Sequence, residues 1–311
     1  MRFHYTQLFS TYSIVARDPE TGWLGVAVQT HQMSVGRVVP WLLPGVGALA
    51  TQSLSNVSFG PMGLTMLKEG VPASYVVAAL AASDEGANRR QLGVVDAQGR
   101  AAAWTGDGCI PYASHHTGEG YSVQANMMTR DTVIPAMVAA YENASGNLAE
   151  RMMAALMAAQ EEDGDIRGMQ SAALKVVSGD KNDPSWMTLY DVRVDEHADP
   201  VKELTRLVRL AGAQLLDRKA SRAFDAGQRE EALAGWALAR AQAPELEEIP
   251  FWQAVTLADN DGDIEAAATI LRSVLANDPR REHWIDLLRR LEGCGLIERK
   301  GTADALITAL G

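Results

Sequence analysis

Several short segments of this 311-residue chain combine the features of β-strands with apolar residues on both faces. The clearest are residues 13–16 (SIVA), 25–28 (GVAV) and 92–95 (LGVV). A strand that is apolar on both faces must be covered on both sides. Turn and helix signals between such segments give the order ββ, β, αα, ββ, β, αα, ββ over residues 11–200. Two sheets packed face to face with the helix pairs outside satisfy this order, so we predict an α+β fold, a four-layer αββα sandwich.

The individual elements of this first domain follow from apolar runs and turn residues. We predict strands over residues 11–19, 23–30, 45–52, 90–97, 100–106, 119–128, 171–177 and 187–194. One pair of helices is predicted between residues 53 and 86, and a second pair over 131–143 and 148–160. Residues 31–44, with two prolines, and the stretch 107–118 are predicted loops.

The composition changes after residue 200 to Ala, Leu, Arg and Glu, so we predict an all-helical second domain over 201–311. Its segments 227–244 and 262–279 repeat at a shift of 35 residues. The aligned pairs are Gly227/Gly262, Ala232/Ala267, Trp236/Leu271, Ala241/Ala276 and Pro244/Pro279. This pattern resembles tetratricopeptide repeats. Two functions stay open for the domain: a groove for a protein partner, or a packing appendage that makes the protein a homodimer.

Charge and composition exclude several classes of function. A net charge of −11 gives no support for a nucleic acid or an anionic membrane as partner. No run of 18 apolar residues is present, so we predict no membrane span. The two cysteines are isolated, and the leader, residues 1–10, lacks the apolar core of a signal peptide. Both features predict a cytoplasmic protein. The pair His115–His116 lacks further ligands at the spacing that a metal site needs, and the sequence contains no phosphate-binding loop. We therefore predict neither a metal nor a cofactor.

Thr11 opens the first predicted strand, and this position has a chemical consequence. If the chain is cut before Thr11, the freed α-amine has a pKa of about 7.7–8.0 and can accept the proton of the hydroxyl of the same residue. One residue then supplies both nucleophile and base. The alternative is an ordinary threonine at the edge of a strand, preceded by a ten-residue leader.

Five segments, taken in order, resemble the domain-of-unknown-function 1028 family, whose members are described as hydrolases of the N-terminal nucleophile superfamily. The segments lie at residues 11–30, 45–64, 94–128, 164–177 and 189–204. The resemblance implies a Thr nucleophile that is exposed when the initiator Met is removed. Here ten residues precede Thr11. Three explanations are open: cleavage between Ser10 and Thr11, a start codon further downstream, or a member that does not mature.

Candidate site residues are polar side chains at the ends of the predicted strands. Thr11 is the predicted nucleophile. Ser13 either relays a proton or bonds the backbone. Asn126 is the predicted oxyanion donor, because a neutral amide donates hydrogen bonds without ionising; the alternative is an amide that caps the loop before Asp131. The predicted substrate-binding residues are Arg17, His31, Gln52, Asn56, Gln124, Arg167 and Gln170. The acidic residues Asp163 and Asp165 are predicted to be solvated loop residues.

The sequence therefore predicts an amidohydrolase that cleaves a non-peptide or small peptide amide bond, with a small-molecule amide as substrate. The alternative is a non-catalytic binding or scaffold protein that uses the sandwich and the repeat helices for partner or self-association. In the enzyme hypothesis Cys109 is the competing nucleophile, since a thiolate is reactive where its pKa is low.

Overall fold

The structure, a computed structural model, describes residues 8–9 and 11–311. The chain divides after Val208 into two compact units. Met1–Val208 is here called the N-terminal unit and Arg209–Gly311 the C-terminal unit. The described residues form two antiparallel sheets and ten α-helices. None of these helices is long and apolar enough to cross a membrane.

Six antiparallel strands form the larger sheet of the N-terminal unit. Across the sheet they lie in the order β11 (Tyr190–Val194), β10 (Ser171–Val177), β3 (Leu24–Thr30), β2 (Thr11–Arg17), β9 (Tyr121–Asn126) and β8 (Ser114–Gly118). Strand β2 is therefore central. Its first residue, Thr11, pairs with Thr30 at the end of β3 and with Asn126 at the end of β9. The polar ends of three strands, β2, β3 and β9, thus lie side by side at one end of the sheet.

The second sheet has five antiparallel strands. They are β1 (Leu8–Phe9), β4 (Pro40–Leu43), β5 (Gly47–Leu54), β6 (Arg90–Asp96) and β7 (Ala101–Thr105). Strand β5 pairs with β6 on one side and with both β1 and β4 on the other, and β6 pairs with β7. A single residue separates β1, in this sheet, from β2, in the other.

Two predicted loops are wrong in part, because each contains a strand. Strand β4 falls within residues 31–44; its Pro40 is tolerated because proline cannot donate a ladder hydrogen bond and so suits a strand that pairs at an edge. Strand β8 carries His115 and His116 and is the last strand on its side of the larger sheet. Its exposed polar side chains give no alternating apolar pattern, which is why the sequence does not reveal it.

Helices α1 (Phe59–Lys68) and α2 (Ala73–Ala82) pack on the five-stranded sheet. Their apolar faces share one buried cluster with Leu49 of β5 and Leu92 of β6. Helices α3 (Val133–Asn143) and α4 (Leu148–Glu161) pack against each other, and α4 also contacts β2 and β3. An Asn147 capping box, in which Asn147 and Glu150 exchange hydrogen bonds, starts α4.

Residues from the two sheets share a further buried cluster. Val15 and Val26 of the six-stranded sheet lie in it together with Ala48 and Val95 of the other sheet. These side chains are fully buried. The cluster explains why the strands are apolar on both faces, since each strand here has apolar neighbours beyond its own sheet.

The C-terminal unit is helical. Helix α5 (Pro200–Asp225) contains the division between the units, and α6 (Arg229–Gln242), α7 (Glu248–Thr256), α8 (Ile264–Leu275), α9 (Arg281–Gly293) and α10 (Thr302–Leu310) follow. Trp236 of α6 and Leu271 of α8 are both buried in one apolar cluster. Gly227 and Gly262, which precede α6 and α8, both have positive φ, +78° and +72°.

Candidate active site

Thr11 is fully buried at the start of β2. Its hydroxyl donates to Oγ1 of Thr30, with 3.4 Å between the two oxygens. Its carbonyl oxygen accepts hydrogen bonds from two side-chain amides, Nε2 of Gln52 at 3.2 Å and Nδ2 of Asn126 at 3.4 Å. Two neutral donors, one from each sheet, therefore fix the backbone of the predicted nucleophile.

Ser13 lies on the same face of β2 and joins this arrangement. Its hydroxyl donates to Oε1 of Gln52 at 2.6 Å and accepts from Nε2 of Gln124 at 2.6 Å. Gln124 in turn accepts from the hydroxyl of Ser122 at 2.8 Å. All of these side chains are fully buried, so the hydrogen bonds between them are shielded from water.

Gln91 connects the group, and the sequence analysis did not single it out. Its Oε1 accepts from Gln52 at 2.7 Å and from Asn126 at 2.9 Å. Its Nε2 donates to the hydroxyl of Thr105 at 2.8 Å and to the carbonyl of Ala125 at 2.9 Å. A glutamine directly before the apolar run 92–95 was the available signal, because a strand buried on both faces must satisfy any polar side chain internally.

We call these six side chains, Thr11, Ser13, Gln52, Gln91, Gln124 and Asn126, the amide network. Five of them were predicted as site residues, and the structure brings the five together. None of the six side chains is ionisable, so each contributes neutral hydrogen-bond donors and acceptors only. Asn126 already donates to Thr11 and Gln91, which makes it an orienting group in this state of the chain.

A second group lies beside the end of β3. The backbone N–H of His31 donates to Asp165 at 3.0 Å, and Arg167 forms an ion pair with the same carboxylate at 2.9 Å. Asp165 is 2% exposed, so the prediction of a solvated loop acid is wrong. The carboxylate is buried because it ties the loop after α4 to His31. Gln170 reaches the same end of the strand, donating its backbone N–H to Thr30 at 3.1 Å.

Two predicted substrate-binding residues lie elsewhere. Arg17 ends β2, so six strand steps of about 3.3 Å place it roughly 20 Å from Thr11. Asn56 donates to Asp84 at 3.0 Å and accepts from the N–H of Ser58 at 3.2 Å, as a turn residue does. The structure does not bring either residue to the amide network.

Cys109 does not meet the requirements of a nucleophile. Its thiol donates to the carbonyl of Arg90 and accepts from the hydroxyl of Ser53, both at 3.4 Å. Burial raises its pKa, against the weaker effect of the hydrogen bond from Ser53. The thiol is therefore protonated at neutral pH and poorly reactive.

His115 extends the amide network toward solvent. Its Nδ1 lies 2.8 Å from Oγ1 of Thr105, which is bound to Gln91. Although the residue is exposed overall, partial removal of water from its ring, together with the neighbouring His116, lowers the pKa of His115, so the ring is neutral at pH 7. Among the residues that the structure describes, no group of three or more His, Cys, Asp and Glu side chains is placed to hold a metal ion.

Two antiparallel sheets with a buried polar network at the head of a central strand define an α+β protein with a threonine-centred candidate site. The chain belongs to the family of unknown function DUF1028, whose model matches residues 11–204. A solved member is similar: protein SPO2555 from Silicibacter pomeroyi is 30% identical, with a TM-score of 0.59, over 65% of this chain and 88% of that chain.

A second solved structure is more distant. Anbu (ancestral beta-subunit) from Yersinia bercovieri shares 14% identity with a TM-score of 0.33, over 63% of this chain and 91% of that one. A search of curated proteins finds no match to the chain.

Proposed function

We propose that the N-terminal unit is an amidohydrolase of the N-terminal nucleophile type and that Thr11 is its nucleophile. One observation carries the proposal: Thr11 starts the central strand, and buried neutral amides from both sheets hold its carbonyl oxygen. A threonine at an ordinary strand edge needs no such support. Buried polar groups are costly unless they are hydrogen-bonded, and here their hydrogen bonds rigidly fix the position of Thr11.

The proposal includes the four-layer αββα arrangement. It is supported by the buried cluster that Val15 and Val26 share with residues of the other sheet, and by the packing of α1 and α2 on β5 and β6. On the larger sheet, the contacts of α4 with β2 and β3 support the outer helical layer. In this arrangement the amide network lies between the sheets.

Activity requires a free amine on Thr11. While Ser10 is attached, the nitrogen of Thr11 is an amide and cannot accept a proton. In the proposed maturation, the Thr11 hydroxyl attacks the Ser10 carbonyl, the C–N bond breaks as the nitrogen takes the proton, and an ester remains. Water then hydrolyses the ester, which releases the segment ending at Ser10 and leaves the α-amine.

The mature residue would cleave a substrate in the same way. The α-amine accepts the hydroxyl proton as Oγ1 attacks the amide carbonyl, and the amine of the substrate leaves with that proton. Water then hydrolyses the acyl-enzyme. Asn126 is the proposed oxyanion donor: its 3.4 Å bond to Thr11 is long for an N–H···O hydrogen bond, so this N–H can be donated to the oxyanion while the 2.9 Å bond to Gln91 still holds the amide.

The test compares variants on one panel of model amides. A protein that begins Met-Thr11, trimmed by the host aminopeptidase, should turn over substrate without a lag. Thr11→Ala should fold equally well but be inactive, and Thr11→Ser should keep part of the activity because it retains a hydroxyl. Equal turnover by Thr11→Ala and the trimmed wild type would remove Thr11 from the mechanism. Intact mass of the full chain shows whether residues 1–10 are lost.

The C-terminal unit supports a second candidate function. This function is association with a protein partner or with a second copy of the chain. We propose that it contains two tetratricopeptide-like repeats and serves as a protein-binding or dimerisation surface. The buried pair Trp236 and Leu271, 35 residues apart, supports the repeats. A cavity of about 690 Å3 at the ends of both repeats, lined by Pro244 and Pro279 among others, supports a binding role.

A further inference from the structure

A cavity of about 410 Å3 lies at the end of the larger sheet opposite to Thr11. Its lining includes Arg17, Gly99, Tyr141, Glu142 and Arg151. The volume is in the range of pockets that hold small molecules. The proposed hydrolase chemistry does not use this cavity, since the length of β2, roughly 20 Å, separates it from Thr11.

Arg17 is a positively charged residue in the lining of this cavity. The residue is partly buried at the end of β2, and its backbone N–H donates to the carbonyl of Gly120 at 2.7 Å. Its guanidinium lies beside two turn glycines, 3.7 Å from the point where a Cβ on Gly22 would lie and 3.9 Å from that on Gly99. In the part of the chain that the structure describes, Arg17 has no acidic partner.

Arg151 provides a second guanidinium, but its charge is compensated. It forms an ion pair with Asp18 and lies over the ring of Tyr141, 5.5 Å from the ring centroid. Its Nε is buried and has no hydrogen-bond partner among the described residues. The cavity therefore presents one guanidinium without an ion-pair partner among the described residues, that of Arg17, because the buried Nε of Arg151 is not accessible to a ligand.

The acidic residues at this cavity are on its rim. Glu119 and Glu142 are both exposed, and Glu142 accepts a hydrogen bond from the hydroxyl of Tyr121 at 2.6 Å. Their charges repel a multiply charged anion more strongly than a singly charged one. The fork of a guanidinium accepts a carboxylate or a phosphate equally well, so charge decides between them. A monoanion neutralises the single charge of Arg17, whereas a phosphate dianion would leave a surplus negative charge beside Glu119 and Glu142.

We propose that this cavity binds a small ligand through a single carboxylate, with Arg17 as the contact that pairs with it. The chemical class is a small monocarboxylate, of the size of an acylated amino acid. The site is independent of the Thr11 chemistry, so binding should persist whether or not the chain matures.

The experiment is isothermal titration calorimetry of the full chain with N-acetylalanine and, separately, with inorganic phosphate. We expect saturable binding of N-acetylalanine and at least tenfold weaker binding of phosphate. Arg17→Met should weaken N-acetylalanine binding at least tenfold, in line with the loss of a charge-assisted hydrogen-bond pair. Arg37→Met removes the same charge from an exposed turn outside the cavity and should leave binding unchanged.

Arg17→Lys provides the second variant, since it keeps the charge and most of the packing but loses the fork. It should bind with intermediate affinity and should fold even if Arg17→Met does not. Absence of N-acetylalanine binding to the wild type would overturn the proposal. So would phosphate binding as tight as that of N-acetylalanine, or equal affinities for Arg17→Lys and the wild type.

Discussion

Two side-chain amides near Thr11 share an acceptor. Gln52 and Asn126 both donate to Oε1 of Gln91, and Gln91 itself is fully buried. An acceptor shared by two buried donors is costly to remove, because each donor then loses its shortest hydrogen bond without gaining water. Gln91 therefore fixes the two amides that hold the carbonyl of Thr11.

Replacing Gln91 by Leu should destabilise the N-terminal unit by about 3 kcal/mol, since two buried amides each lose their shortest hydrogen bond, at about 1–3 kcal/mol each. In the trimmed protein that begins at Thr11, it should also lower kcat. Urea unfolding measures the first effect and turnover of a model amide the second. Gln98→Leu is the matched control, because Gln98 is exposed and bound to Arg100. Unchanged stability of Gln91→Leu would show that the network is dispensable.

The sequence predicts the members of this network better than its connections. Polar residues at the ends of buried strands point to Thr11, Gln52 and Asn126, since strand ends meet at one edge. Gln91 precedes its strand's apolar run, and only the approach of the two sheets makes it a shared acceptor. Arg17 was assigned to the same site, although a seven-residue strand already separates it from Thr11.

At the scale of elements, β6 and β9 of different sheets approach closely at a glycine. A Cβ added to Gly93 would lie 2.6 Å from Cδ of Gln124, closer than real contacts allow. Gln124 cannot easily move, because it is bound to both Ser13 and Ser122. The absence of a side chain at Gly93 thus gives Gln124 its position.

Gly93→Ala should therefore displace Gln124, break its bond to Ser13 and destabilise the unit by about 1–3 kcal/mol, the range for overpacking a core. Thermal unfolding of both proteins provides the measurement. Gly293→Ala is the control, since a Cβ there meets nothing within 4 Å. If Gly93→Ala is as stable as the wild type, the two sheets separate more easily than this contact implies.

A second prediction at this scale concerns pH. Asp18, in the turn after β2, pairs with Arg151 of α4. Burial alone would raise the pKa of Asp18, but hydrogen bonds from Thr21 and the charge of Arg151 outweigh it and lower the pKa. The stabilisation is therefore present above the unfolded pKa of about 3.9 and is lost as pH falls through the folded value.

Asp18→Asn should cost on the order of 1–2 kcal/mol at pH 7 and nothing near pH 2, so the two stability curves should converge in acid. Urea midpoints from pH 2 to pH 7 give the comparison. Asp191→Asn breaks the more exposed pair with Lys175 and should change little at any pH. A constant difference between Asp18→Asn and the wild type across this range would contradict the assignment.

Strand and helix positions followed from the sequence where burial is strong. Residues 171–177 were predicted as a strand, and β10 spans the same seven residues. Strands β4 and β8 were missed because they pair at an edge or carry polar side chains, so their pairing partners and not their own pattern make them extended.

At the scale of the whole molecule, each unit has its own apolar cluster. Trp236 belongs to the cluster of the C-terminal unit and is 1% exposed. The centre of its ring lies 5.2 Å from that of the Phe224 ring, and its Nε1 donates to the hydroxyl of Ser221 at 3.3 Å. Trp252, in the same unit, is 41% exposed. The two tryptophans form a matched pair, because the same substitution removes the same volume from a buried and from a half-exposed position.

Trp236→Ala should destabilise the C-terminal unit by about 3–5 kcal/mol, whereas Trp252→Ala should cost less than about 1 kcal/mol. Hydrogen exchange read by mass spectrometry locates the effect: peptides from residues 209–311 should lose protection in Trp236→Ala, because the cluster around Leu271 then surrounds a cavity. Since Leu49 and Val95 belong to separate clusters, peptides of the two sheets should keep their protection. Equal loss across the whole chain would mean that the two units unfold as one, and equal stability of the two variants would remove Trp236 from the core.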